Sequence, residues 1–526
     1  MVITTTDIRP RHAGLRRLRR RSIAIAAAAA TTVAFPTVHA AEWRFTPTVS
    51  ATETYTDNVS LATRGMEHSD FVTQVAPGFT ITSNSPRLKL SVIYSLEGTT
   101  YLHGSGGTSL ANQLSATMNA ELIRNLFFLD ARGGIGQQDI SAFGPQSANN
   151  ININNNRTDV LSYSISPYLR HSFGSKAFSE VRYTHESVNS GSDLLSPSNT
   201  DRVNFSLTSG ESSSKITLGL RGSAQRAKAS NQPSVEQDNL NADLRYFLTP
   251  NFSTTAAVGY EKETYVSIGD QPTNGVYYNA GFIWKPTSRT NVTAMVGHRF
   301  FGRTYSLQAD HRARNAVFRV SYAEDITTAQ QQFSAQSTIS TFSFLDQLYS
   351  AQIPDPATRA QVVNALILQT GLPASLANPI NSLTNTYFLQ KSLQGSLALN
   401  GVRNTIVLSV FDTRRTAESV RSGSSGPVNS PLSSLNDSNK QIGGAAVWNM
   451  RLSSSISALA DVNATRTTSL TTARVDNYKS LRLSLSRQFQ NKLTGSLALR
   501  HSQQSSDVLG GDIRENAITA SVFAKF

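Results

Sequence analysis

Apolar and polar residues alternate one for one through segments of about ten to fifteen residues, and this period of two recurs from Trp43 to the end of the chain. Trp43, Phe45, Pro47, Val49 and Ala51 alternate with Arg44, Thr46, Thr48, Ser50 and Thr52. Leu110, Leu114, Ala116, Met118, Ala120 and Leu122 repeat the pattern, as do Val276-Tyr278-Ala280-Phe282-Trp284, Ile216-Leu218-Leu220 and Ile406-Leu408-Val410. Alternation of this kind belongs to strands with one apolar face, not to helices of period 3.6. A soluble sandwich would alternate too, but its strands run roughly three to ten residues. The longer segments here suit strands that cross a bilayer at a tilt, for which about nine to eleven residues suffice. Hydrocarbon leaves no unpaired sheet edge satisfied, so such strands must close on themselves.

The connections agree. Tight turns at Asn84-Ser85-Pro86, Arg124-Asn125, Gly174-Ser175-Lys176, Thr249-Pro250-Asn251, Asn400-Gly401 and Gln490-Asn491-Lys492 alternate with longer polar segments at 56–69, 137–157, 187–200, 413–437 and 503–513. Short turns on one side and long loops on the other are the habit of outer-membrane barrels. No block recurs at fixed spacing, which excludes a repeat array. The expectation is an all-β, transmembrane outer-membrane antiparallel β-barrel of about 22 strands (range 16–24), with both termini on the short-turn side and a weak strand near 303–314. A barrel of that size encloses a lumen that its own wall side chains do not fill.

Composition narrows the chemistry. The 526 residues include no cysteine, which removes disulfide scaffolds, thiolate zinc sites and cysteine nucleophiles together. No run of 18 apolar residues follows the N-terminal region, against a helical-bundle membrane protein. Residues 1–22 crowd Arg16, Arg17, Arg19, Arg20 and Arg21 before an apolar run from Ile23 to Phe35, and Val38-His39-Ala40 fits a peptidase site. Residues 1–40 therefore read as a cleaved export signal, with 41–526 a single barrel domain. The twin-arginine route fits less well, since Ser22-Ile23-Ala24 replaces the bulky apolar pair expected after the arginines, and an amphipathic mitochondrial leader fits no better. Removal of the signal takes the formal charge from +13 to +7 and with it much of the ground for a nucleic-acid partner; none is expected.

At the C-terminus Ile518, Ala520, Val522, Ala524 and Phe526 form an alternating stripe ending in an aromatic. The stripe resembles the signal, closed by Phe526, through which the barrel assembly machinery recognises its clients. The segment Trp43-Arg44-Phe45-Thr46-Pro47 through Glu53-Thr54-Tyr55-Thr56-Asp57-Asn58-Val59, followed by Val75-Ala76-Pro77-Gly78-Phe79, resembles the outer-membrane barrels associated with PEP-CTERM/exosortase systems. That resemblance is carried mainly by residues 43–101. It implies an outer-membrane protein of Gram-negative bacteria that accompanies exopolysaccharide production and surface sorting, in contact with outer-membrane lipid and lipopolysaccharide. It implies no catalytic residue and no cofactor. Thr56-Asp57-Asn58-Val59 also reads simply as a strand end entering a polar turn.

If the apolar face meets lipid, parity sends Lys89, Arg132, Arg170, Arg182, Arg221, Arg245, Lys285, Arg299, Arg319, Arg451, Arg482 and Arg500 to the lumen, together with Arg44, Lys215 and Lys525. The same parity places Glu97, Glu121, Asp130, Glu180, Asp243, Glu261 and Asp461 there, leaving a surplus of about eight positive charges. Rings of arginine and lysine favour anions in a pore, and an anionic exopolysaccharide would be such a solute. The plainer reading is that these charges pair across strands or keep the wall wet. A slip of one residue would reverse every assignment on a strand. Lys391 falls on the apolar parity of its strand, which calls for a bulge or an interfacial position.

The segment 325–385 is too long for a hairpin loop. Asp355-Pro356 suits a helix start and Gly371 with Pro373 a stop, with Val362, Val363, Leu366 and Ile367 as an apolar stripe between. Such an insertion could plug the lumen, cap the mouth as a lid, or lie exposed. Enzyme signatures are scarce: the nine histidines are dispersed, no metal, nucleotide or dinucleotide motif is present, and Ser422-Gly423-Ser424-Ser425-Gly426 lacks the strand–turn–helix context of a nucleophile elbow. The Asn-rich stretch 149–156 reads as turns rather than a calcium site. Three functions follow: a porin-like conduit for an anionic solute or exopolysaccharide, which is favoured; a non-conducting barrel that anchors surface polymer or protein; and a barrel-embedded lipid- or glycan-modifying enzyme, built on a Ser-His-Asn set around His171, His185, His298 or His501.

Overall fold

The computed structural model describes residues 43–147, 149–210, 215–230, 232–334, 379–419, 435–490, 492–508 and 511–526. They form 22 antiparallel strands. The first eight are β1 (Trp43–Thr56), β2 (Asp70–Asn84), β3 (Leu88–Tyr101), β4 (Ser109–Ile123), β5 (Phe127–Asp139), β6 (Arg157–Ser172), β7 (Ala177–Ser190) and β8 (Ser198–Ser209). Then come β9 (Ile216–Ala229), β10 (Val235–Thr249), β11 (Phe252–Glu263), β12 (Asn274–Thr287), β13 (Thr290–Arg299), β14 (Gly302–Arg312) and β15 (Ala316–Thr327). The last seven are β16 (Phe388–Asn400), β17 (Asn404–Ala417), β18 (Asn439–Arg451), β19 (Ile456–Ser469), β20 (Val475–Gln490), β21 (Leu493–Ser506) and β22 (Ile513–Lys525). A short helix, α1 (Ala329–Ser334), follows β15.

Each strand pairs with its neighbour in sequence, and β1 pairs with β22 from Thr48↔Lys525 to Thr56↔Ala517, so the sheet closes. Phe526 extends the seam by donating its amide to the carbonyl of Pro47 at 3.0 Å. Closure leaves the sheet without a free edge strand, the condition for crossing hydrocarbon. Asn125 and Gly174 take positive φ in two of the tight turns, as close reversals require.

The alternation sorts the two faces. Glu515, Gln504 and Gln441 are buried beneath loops that enter the barrel, which marks their parity as the inner one. Between them stand exposed apolar side chains, including Leu110, Leu218, Val258, Val410 and Leu497, and these mark the outer face. Aromatic residues of that outer face gather at both strand ends. Tyr55, Phe71, Tyr260, Tyr278 and Tyr305 lie near the long-loop ends, and Phe45, Tyr246 and Phe489 near the short-turn ends, together with the three tryptophans Trp43, Trp284 and Trp448. Two such girdles flanking an apolar band are what a barrel in a bilayer presents to its two interfaces.

Some expectations need correction. The strands reach further than the alternation suggested, to Asp139, Ser190, Ala417 and Ser506, so the loops read at 137–157, 187–200, 413–437 and 503–513 are shorter. On the long-loop side β13 and β14 are joined by Phe300 and Phe301 alone, and the weak strand is β14. Lys391 needs no bulge: its register runs unbroken from Glu324 on one side to Arg414 on the other, three residues from the end of β16, an interfacial position. The helix expected between Asp355 and Gly371 lies outside the described residues.

Candidate functional site

Loops from opposite walls meet across the long-loop mouth. Strands β5 and β16 stand eleven apart in a ring of 22, yet Leu383, five residues before β16, donates its amide to the carbonyl of Ile140, the residue after β5, at 2.9 Å. The buried amide of Asn436, just before β18, donates at 3.0 Å to both Ile140 O and Leu383 O. A circular ring of 22 strands spaced ~4.8 Å apart and tilted ~40° would be about 44 Å across. Six chain steps and one hydrogen bond reach less than about 30 Å, so the rim is drawn in along this diameter. Helix α1 does the same: Ala329, two residues beyond β15, is buried against Val160 and Val188 of β6 and β7, with Leu195 and Leu383.

The loop 140–156 that joins β5 to β6 carries no charge and six asparagines, and its amides serve the lumen wall. Asn152 donates to Glu515 at 2.7 Å, Asn150 to Glu97 at 2.8 Å, and Gln146 and Gly144 exchange hydrogen bonds with Gln504. The Asn-rich stretch is thus a set of cross-lumen ties. A second junction joins the loop after β11 to the residues after β17: Ser267 and Ser419 pair as a bridge, and Tyr265 stacks on Tyr387 at 5.0 Å in a cluster with Ile326, Phe300 and Phe301. Burial raises the pKa of both phenols, which stay neutral.

The pairing registers place eleven of the twelve expected cations on the face opposite the exposed apolar one, while Lys285 falls in the register shift that follows Trp284. Seven of them meet carboxylates. Arg299 grips Glu261 at 2.7 Å and Asp325 at 2.7 Å; Arg500 meets Glu515 at 2.8 Å; Arg182 meets Asp130 at 2.7 Å and Glu180 at 3.0 Å; Arg170 meets Glu180 at 3.0 Å. Arg221 pairs with Asp243, Arg319 with Asp310 and Arg482 with Asp461. Arg245 bonds Ser253 and lies over the Phe247 ring. Lys89, Arg132, Lys285 and Arg451 meet no carboxylate among the described residues, and all four stand in the short-turn half of their strands.

The parity count passed over seven inner carboxylates, Asp70, Glu186, Glu263, Asp310, Asp325, Asp476 and Glu515, and three cations, Arg202, Arg312 and Arg415. Together they halve the expected surplus. Arg415 is the most unusual: fully buried over the Phe388 ring, it bonds, among the described residues, the neutral amides of Gln390, Gln332 and Asn381. It ties both flanks of the insertion to the wall. No one-residue signal distinguishes it from its exposed neighbour Arg414; only its inward parity does.

What the lumen lacks in net charge it has in polarity along its axis. Among the described residues the short turns carry Arg87, Arg124, Lys176, Lys215, Arg289, Arg314, Arg403 and Lys492 and no acid. The long-loop connections carry Asp57, Glu67, Asp193, Asp270, Glu418, Asp437, Asp507 and Asp512 against Arg64 and Arg474. At the short-turn mouth a concavity of about 1200 Å³ is lined by Lys285, Arg289, Arg312 and Arg314 with Asn251, Thr287, Ser288 and Asn291. Its one carboxylate, Asp310, is taken by Arg319 at 2.6 Å. Among the described residues none of the four cations has an ion-pair partner.

A closed sheet of membrane-length strands, an apolar outer band and two aromatic girdles settle where this chain resides. It is an outer-membrane β-barrel. Short turns face the periplasm and long loops the exterior. No protein-family description matches the chain, and no curated protein matches it. Solved structures to which it is similar include the siderophore receptor PirA from Pseudomonas aeruginosa (10% identity, TM-score 0.43, 93% of this chain and 82% of that one). A ferric enterobactin receptor mutant from the same organism, in complex with enterobactin, gives 10% and 0.45 over 93% and 82%. The FrpB iron transporter from Neisseria meningitidis gives 8% and 0.45 over 91% and 82%. At such scores the likeness carries no information on what this barrel binds.

The four histidines weighed for a catalytic set lie on or beside the strands. His501 bonds Asn516 at 2.7 Å on the outer face, and Asn516 bonds Asp57, but the cross-strand neighbour of His501 on that face is Leu481, not a serine. His185 pairs with Asp201 at 2.8 Å beside Tyr183, a phenol that also bonds Asp201. His298 stacks on Tyr278, and His171 packs edge-on to Phe173. Among the described residues no three His, Asp or Glu side chains are grouped to hold a metal ion.

Proposed function

We propose that this barrel is a gated, porin-like conduit for anionic solutes, with its anion-receiving mouth toward the periplasm. The observation that carries the reading is the short-turn concavity with four cations that no carboxylate among the described residues neutralises. A cleft lined by one sign of charge concentrates counter-ions at its entrance, and unpaired cations at a pore mouth favour anions. The loops that meet between Ile140, Leu383 and Asn436 act as the gate on the outer side. The resemblance carried by residues 43–101 extends the solute class to an acidic exopolysaccharide handled by a PEP-CTERM/exosortase system. Phe526, exposed on the outer face at the seam, serves as the assembly signal.

A second reading is favoured by those same crossing loops: a closed barrel that anchors surface polymer through its exterior. Planar-bilayer recordings separate the two. A conduit gives anion-selective current that grows when the loop junction is loosened; a barrel that stays silent with its loops loosened is an anchor.

A further inference from the structure

The outer wall carries a second basic feature, on the opposite end and the opposite face from the periplasmic mouth. Lys391 of β16 stands directly across from Arg414 of β17, and Arg414 directly across from Lys440 of β18. Three like charges in one cross-strand row repel, and direct opposition of like charges destabilises a sheet. The row continues as a stair: Arg466 of β19 lies across from Ile442, two residues along from Lys440, and Lys479 of β20 lies across from Ala464, two along from Arg466. Five consecutive strands thus present five cations on the lipid-facing side, near their long-loop ends.

Only two carboxylates answer them. Glu324 meets Lys391 at 3.4 Å and Asp412 meets Lys440 at 3.4 Å. Arg414, Arg466 and Lys479 are exposed and have no partner among the described residues. Beneath, on the same parity, Leu393, Ile442 and Leu481 are exposed to the hydrocarbon, with Val410 and Val462 a step lower; Asp412, held by Lys440, stands in the row between Leu393 and Ile442. Cations above a face that is apolar save for the paired Asp412 fit an anion whose tail is acyl chain better than a soluble anion. Five strands span about 19 Å across the wall, wider than one phosphate. Phosphate monoesters carry about −1.5 to −2 each at neutral pH, so two of them balance the three unpaired cations.

We propose that this stair is a binding site for a bisphosphorylated glycolipid of the outer leaflet, lipopolysaccharide, through the phosphates of its lipid anchor. Arg414 and Arg466 supply planar forks to the phosphate oxygens, Lys479 adds a point charge, and the stripe below packs the acyl chains. The site is independent of whether the lumen conducts.

The test titrates the detergent-solubilised full chain with bisphosphorylated lipid A, its monophosphoryl form and phosphatidylglycerol, and counts bound lipid by native mass spectrometry. Bisphosphorylated lipid A should bind at least tenfold more tightly than either of the others. The triple variant Arg414→Gln, Arg466→Gln, Lys479→Gln should lose at least tenfold of that affinity, and Arg466→Gln alone two- to threefold. A control that removes three outward cations elsewhere near the long-loop ends, Lys228→Gln, Lys262→Gln, Arg303→Gln, should stay within twofold of the parent. The charge-keeping variant Arg414→Lys, Arg466→Lys guards against a folding defect and should retain most of the affinity. Equal binding of phosphatidylglycerol, an unchanged triple variant, or an equal loss in the control would each overturn the site.

Discussion

The amide of Leu383 and the carbonyl of Ile140 meet at 2.9 Å from walls eleven strands apart. That single bond requires the long-loop rim to be narrowed, and Asn436 doubles it by donating to both segments. Replacement of Asn436 by alanine removes two buried hydrogen bonds, worth about 1 kcal/mol each. The junction should loosen by about 2 kcal/mol, a roughly thirtyfold rise in its open population. Amide hydrogen exchange at Leu383 should quicken correspondingly; exchange as slow as in the parent would show that Asn436 is not the tie.

Arg299 holds a nearly buried Glu261 and an exposed Asp325. Its removal strands the Glu261 carboxylate, and breaking a buried pair from one side costs about 3–5 kcal/mol. Arg299→Met should therefore lower the thermal midpoint sharply, whereas Arg299→Met combined with Glu261→Gln should recover most of the loss. Equal midpoints for the single and the double variant would contradict the pairing.

Two glycines on the wall should respond in opposite ways. A Cβ at Gly281 would clash with the carbonyl oxygen of Ala294 on the next strand, whereas one at Gly136 would meet nothing within 4 Å. Gly281→Ala should impair pairing of β12 with β13 and lower the yield of folded barrel, and Gly136→Ala should leave it unchanged. Refolding into detergent micelles, followed by far-ultraviolet circular dichroism, distinguishes them.

Fold was legible in the sequence because a membrane wall imposes its physics residue by residue. Leu110, Leu218 and Val410 had to face lipid, and the period of two announced each of them. The partners of the inner cations were harder to read. Whether Arg182 meets Asp130 depends on the registers of β5, β6 and β7 together, and whether Arg500 meets Glu515 on how β21 sets against β22. Glu515 and Asp476 sit near the long-loop ends of β22 and β20, where alternation fades, so their charge went uncounted. The junction of Ile140, Leu383 and Asn436 joins residues 243 and 296 positions apart through main-chain and amide groups, for which the sequence holds no local signal. The asparagines of 149–156 looked like turn formers and are, but their side chains also cross to Glu515 and Glu97.

The central claim is that unpaired cations at the periplasmic mouth select anions. It is tested most directly by reversal potentials across a salt gradient, recorded in planar bilayers on the Asn436→Ala barrel, with and without Lys285→Gln, Arg289→Gln, Arg312→Gln and Arg314→Gln. The loosened barrel should pass anions in preference to cations, and the four glutamines should remove most of that preference while current persists. A cation-selective loosened barrel, or a selectivity that the four substitutions leave unchanged, would contradict the account.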